Sequence, residues 1–85
     1  MSPEEVQNIL TQAIEDSEVQ ATSNDGSHFQ IMVISDQFEG LRAVKRQQMI
    51  YAHLGEYITG GALHAVGIKT YTKKEWEKAK NLQVG

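Results

Sequence analysis

Two histidines and the lack of any cysteine define the chemistry open to this chain. His28 stands where the polar stretch "SNDGS" passes into the hydrophobic "HFQIMVIS", and His64 where "GGAL" passes into "AVGIKTY". A neutral imidazole offers one nitrogen lone pair, so two imidazoles supply half of a four-coordinate metal site. Asp25, in the same polar stretch as His28, could add a carboxylate, and the set would still need donors from another molecule. Two-histidine ligation also occurs on one iron of a [2Fe–2S] cluster that has thiolates on the other. With no cysteine in 85 residues, the chain has no thiolate nucleophile, no disulfide and no cysteine-type zinc site. It could share an iron–sulfur cluster only by borrowing sulfur. Both histidines could instead serve the fold alone. His64 has the parity of Val66 and Ile68 and would fit a half-buried rim position, and His28 would fit a plain hairpin residue. His53 falls off the apolar stripe of its helix and is expected in solvent.

The elements that must position these residues read clearly in outline. "SPEE" is a capping box with Pro3 in the first turn, where its missing N–H costs nothing. Val6, Ile9, Leu10, Ala13 and Ile14 then recur at helical spacing, which predicts an amphipathic helix of about 14 residues. "EVQATS" and "HFQIMVIS" read as strands joined through "NDG", a two-residue hairpin signal. Phe29, Ile31 and Val33 share one strand face. "DQFEG" is a turn into "LRAVKRQQMIYAHLGEYI", a long helix whose stripe is assigned to Val44, Gln47, Tyr51, Leu54 and Ile58, flanked by Ile50 and Tyr57. Gly60 and Gly61 end it. "ALHAVGIKTY" is a third strand, and "TKKE" caps a short helix that contains Trp76. The order is α-β-β-α-β-α over a single domain, residues 1–85.

A strand, a long helix and another strand make a crossover, which renders the two strands parallel if they share a sheet. Parallel strands start at the same edge. His28 and His64, 36 positions apart in sequence, are therefore expected at one end of the sheet beside the "SNDGS" loop.

Composition bounds the rest. A chain this short buries only about 60–65% of its unfolded surface. The longest apolar run is "IMVI", far short of the ~20 residues needed to span a bilayer, and the acidic start "MSPEEVQ" is unlike a basic targeting segment. A soluble, cytoplasmic protein with no membrane association is expected. The net charge of −3 divides unevenly: eight acids and no base lie before Arg42, while eight bases and three acids lie from Arg42 on, −8 against +5. Such polarity can orient a partner, or it can reflect solvated helix faces.

The combination "VISDQFEGLRAVKRQQMIYAHLGEYI" and "LHAVGIKTYTKKEW" resembles the BolA family. "DGSHFQIMVIS" with "VKRQQMIYAHL" is most similar to its bacterial IbaG branch. The motifs Phe38-x-Gly40, Val44-x-Arg46, Tyr51, His64-Ala65 and "IKTYT…EW" carry the likeness, which covers nearly the whole chain. The resemblance implies an α+β, class II KH-like fold, α-β-β-α-(α)-β with a short C-terminal helix on a three-stranded mixed sheet. It also implies a heterodimer with a monothiol glutaredoxin that bridges a [2Fe–2S] cluster. Glutaredoxin would bring a cysteine and a glutathione thiol, and this chain would bring nitrogen ligands. The family's C-terminal histidine maps onto His64, and its loop ligand onto His28. Some relatives carry the loop ligand a few positions earlier, where this chain has Asp25. Lys69, Lys73 and Lys74 are expected to rim the contact. The family's Arg-His-Arg stretch in the long helix is replaced here by Arg46-Gln47-Gln48, which weakens DNA contact.

Two other functions compete. KH-like domains clamp single strands with a Gly-x-x-Gly loop, which is missing here. A nucleic-acid-binding regulator would have to rely on the basic helix start at Lys45 and Arg46, against a pI of 5.5. Catalysis needs positioned groups in a pocket. Ser27 beside His28 is mere adjacency, since triad partners meet through the fold, so no enzyme is expected. The sequence leaves open whether free chains form homodimers.

Overall fold

A computed structural model describes residues 1–63 and 65–84. Helix α1 spans Pro3–Ala13, and its capping box forms as expected. The Ser2 hydroxyl accepts from the Glu5 amide and the Glu5 carboxylate accepts from the Ser2 amide, both at 3.2 Å. Val6 and Leu10 point into the core, and so does Ile14. Ile14 is already extended, with φ −114° and ψ 107°, so the helix is 11 residues long and Ile14 packs from its cap. Ala13, assigned to the stripe, is exposed.

Strand β1 (Ser17–Ser23) pairs antiparallel with β2 (His28–Ser35), and β2 pairs parallel with β3 (Ala65–Tyr71), giving the order β1-β2-β3. The hairpin and the parallel crossover are thus both present, in a mixed three-stranded sheet. The connection between β1 and β2 is wider than the two-residue turn that "NDG" signals. Residues 24–27 lie outside both strands because side chains capture the amides a tight turn would use. Ser23 Oγ accepts from the Gly26 amide, and Asp25 Oδ1 accepts from the Ser27 and His28 amides, all at 2.9 Å. Serine and aspartate compete with backbone pairing in this way. Gly26 at φ +78° supplies the reversal.

A 3-10 turn at Asp36–Phe38 leads to α2 (Ala43–Thr59), and α3 (Lys73–Val84) follows β3. Among the described residues, that turn is the only helical element beyond the three helices. It stands before the long helix, and among the described residues no separate helix lies between α2 and β3. Thr72 and Glu75 form the second expected capping box: the Glu75 amide donates to Thr72 Oγ1 at 3.1 Å and the Thr72 amide to Glu75 Oε1 at 2.9 Å.

The inward face of α2 differs from the expected stripe. Ile50 and Leu54 are buried, with Met49, Tyr57 and Ile58 packed beside them. Val44, Gln47 and Tyr51 are exposed, with Val44 at 64%. The apolar residues of this helix fall on two faces, and the sheet takes the one centred on Ile50 and Leu54. That face joins Val6, Leu10 and Ile14 of α1 and Phe29, Ile31 and Val33 of β2 around Phe38 and Leu63 in one core.

All of this core lies on one side of the sheet. Strand alternation sends His28, Gln30 and Met32 to the other side, with Gln20 and Thr22 of β1 and Gly67 and Lys69 of β3 beside them. No core residue faces them along the His28 end. At the opposite end Ile34 is buried, and Trp76 of α3 meets the Tyr71 ring at 5.4 Å between centroids.

Candidate metal-ligand site

The first residue of β2 is His28, in register with Ala65, the first residue of β3. The Ala65 amide donates to the Ser27 carbonyl at 3.3 Å. The crossover therefore brings the starts of the two strands together at one sheet edge, as the topology requires. His64 itself, the residue before Ala65, lies outside the described residues. His53 is exposed on α2, as expected.

His28 is held at the backbone and open at the ring. Its amide is anchored on Asp25, while its side chain is 67% exposed. The ring turns back on the loop so that Nδ1 lies 2.6 Å from Asp25 Oδ2. Asp25 is thus gripped by the His28 amide, the Ser27 amide and the His28 ring. Those three contacts, the His28 amide foremost, hold its carboxyl well below the usual carboxylate range. A depression beside the ring is lined by Thr22, Ser23, Asn24, Asp25, His28 and Gln30. A second depression on the open sheet face shares Thr22 and Gln30 with it and is lined further by Gln20, Met32 and Lys69.

This donor set suits a shared metal centre and not a self-contained one. Among the described residues, no group of three or more His, Asp or Glu side chains could enclose an ion. One exposed imidazole at a rim, with its second nitrogen occupied by a carboxylate, has one nitrogen left that can serve a metal whose other donors come from elsewhere.

The other predicted residues sort differently. Arg46 is only 11% exposed, and its donors are committed. Nη1 and Nη2 donate to Glu75 at 2.6 and 3.2 Å, Nε donates to the Leu41 carbonyl at 2.9 Å, and the guanidinium lies 5.8 Å from the Phe38 ring centroid. It ties α2 to the start of α3, and a phosphate contact would require breaking that clasp. Lys45 is exposed beside it. Of the three lysines expected to rim the contact, only Lys69 shares the open face with His28. Lys73 and Lys74 follow the far end of β3, about 20 Å along a seven-residue strand. Lys73 Nζ is paired there with Asp16 at 2.9 Å. The feature that sequence reasoning missed is the Asp25–His28 clasp. Its signal was the Asp-Gly-x-His spacing, in which an Asx turn returns the chain toward the carboxylate.

Comparison with known proteins agrees with this geometry. Residues 4–75 match the model of the family described as BolA-like protein. The chain is 43% identical over 82 residues to the acid stress protein IbaG of Escherichia coli K12, covering 96% of each. It is 45% identical over 51 residues to the DNA-binding transcriptional regulator BolA of the same organism, covering 60% of this chain and 48% of that one. Among solved structures, a BolA homologue from Coxiella burnetii superposes with a TM-score of 0.79 at 30% identity, covering 91% of this chain and 97% of the other. A matching family model over most of the chain, near-complete alignment with IbaG and the shared α+β fold lead to one conclusion: this protein belongs to the BolA family, in its IbaG branch.

Proposed function

We propose that this chain is a non-enzymatic iron–sulfur partner protein of the cytoplasm. It pairs with a monothiol glutaredoxin and contributes His28 and His64 as nitrogen ligands to a bridging [2Fe–2S] cluster, whose sulfur ligands are the glutaredoxin cysteine and glutathione. The observation that carries this reading is the exposed His28 imidazole at the edge where β2 and β3 begin, in a chain without cysteine. When bound, the cluster supplies a mixed nitrogen and sulfur centre that can be held or passed on. The chain's own part is to present imidazole nitrogens from a rigid sheet edge and to leave room for the docked partner. The name of the acid stress protein IbaG supports a setting in stress response.

The test is anaerobic reconstitution with a monothiol glutaredoxin and glutathione, followed by visible circular dichroism. His64→Ala is expected to abolish or shift the mixed-complex spectrum, and His28→Ala to weaken it. Unchanged spectra for both variants would remove the ligand reading. The DNA-binding name of the other relative sets the rival outcome. Steeply salt-dependent DNA binding that is lost on changing Lys45 would replace the cluster reading with a regulatory one.

A further inference from the structure

We propose that Asp25 is a positioning residue: it holds the His28 imidazole in the Nδ1–H tautomer, so that the free lone pair is presented on Nε2 to the incoming metal. The inference rests on the reading of His28 as a ligand and adds which nitrogen binds and what fixes it.

The geometry leaves little freedom. Asp25 Oδ1 accepts from two successive amides, Ser27 and His28, which fixes the carboxylate on the backbone that carries the imidazole. Oδ2 then lies 2.6 Å from Nδ1. Near neutral pH an aspartate is acceptor-only, so the hydrogen in that contact belongs to Nδ1. In a neutral ring Nε2 must then carry the lone pair. Free imidazole side chains in water prefer the opposite tautomer, so Asp25 reverses the intrinsic bias. The turn holds itself without help from the core: Gly26 at φ +78° bends the chain, Ser23 Oγ accepts from the Gly26 amide, and no core residue takes part. The arrangement also favours His28 over Asp25 as the ligand of the loop. Direct ligation through Asp25 Oδ1 would compete with the two turn amides, and through Oδ2 with the His28 ring, whereas ligation through Nε2 leaves all three contacts in place. A carboxylate on the far nitrogen additionally makes the imidazole a stronger donor.

The test reads the tautomer in the free chain. Long-range proton–nitrogen correlation of the 15N-labelled protein at mildly alkaline pH, with His53 as an internal control, should show His28 protonated at Nδ1 and bare at Nε2. Asp25→Asn can keep its oxygen on the two amides while turning an NH₂ donor toward Nδ1, which should move the proton to Nε2. The new Asn-Gly step is prone to deamidation, so the mass is checked before each spectrum. Asp25→Ala removes both acceptors and should relax His28 to the free-imidazole preference. In the reconstituted glutaredoxin complex, Asp25→Asn should weaken cluster retention by about tenfold or more. A wild-type His28 protonated at Nε2, or variants that keep the wild-type pattern, would overturn the proposal. Failure of the wild type to assemble a mixed cluster would instead sink the functional reading, and the tautomer measurement on the free chain would stand.

Discussion

Arg46 and His28 show how differently two polar side chains can be used in one small chain. Arg46 spends its guanidinium on Glu75, the Leu41 carbonyl and the Phe38 ring, and so behaves as a structural rivet. Charge-assisted, two-pronged contacts of this kind are worth more than a surface pair, although the half-exposed Glu75 reduces the gain. Arg46→Ala should cost about 1–2 kcal/mol by chemical denaturation. Arg46→Lys should recover little of it, because an ammonium cannot serve both carboxylate oxygens and the carbonyl together. His28, by contrast, is anchored by its amide and exposed at its ring. Its candidacy was legible from residue type and position in the chain. Its pairing with Asp25 was not, because that contact depends on a loop conformation set by Ser23 and Gly26, and spacing alone does not specify one. Gln47 on the expected stripe of α2 was likewise misplaced, and it faces solvent.

At the scale of elements, capping signals proved the most legible. Ser2 with Glu5 and Thr72 with Glu75 both close as boxes, since a short polar side chain beside an open helix turn has few competing partners. The face of α2 was harder, because Val44 and Tyr51 make a second apolar line that periodicity cannot distinguish from the buried one. The "NDG" turn failed for the reason already given: side-chain acceptors displaced the ladder. The Thr72 box also carries a pH signature. The Arg46 guanidinium, and after it the Thr72 amide, hold the Glu75 carboxyl below its usual range. The stabilisation it gives is therefore fully present above the ordinary carboxylate pKa of about 4.3 and is lost as pH falls through the lower folded value. Thermal midpoints measured from pH 6 down to pH 2 should fall less steeply for Glu75→Gln than for the wild type. Parallel curves would show that the clasp contributes nothing in solution.

At the scale of the molecule, strand order follows chain order. The fold nonetheless interleaves the acidic and basic halves of the sequence, since Asp36 accepts from the Lys73 amide at 3.1 Å and Glu39 lines one depression with Lys74 and Lys78. The described ion pair Lys73–Asp16 links the two halves at the surface. Both halves depend on one core. Leu54 of α2 lies fully buried among residues from α1 and β2, so Leu54→Ala should cost about 2–4 kcal/mol. That is a large share of the roughly 4–13 kcal/mol expected for a domain of this length. The denaturant midpoint should drop with little change in slope if the chain unfolds as one unit. Described helices long and apolar enough to cross a membrane are absent.

The one-sided sheet has a further consequence for how such a protein can diversify. The main hydrophobic core hangs beneath β2, with Ile34, Tyr71 and Trp76 above it only at the far end, while the turn at residues 24–27 braces itself with its own short side chains. Insertions, deletions or substitutions in that turn would leave the hydrophobic underside undisturbed, so the reach of the His28 imidazole can change at almost no thermodynamic penalty. A one-residue shift within β2 itself would turn the whole strand inside out.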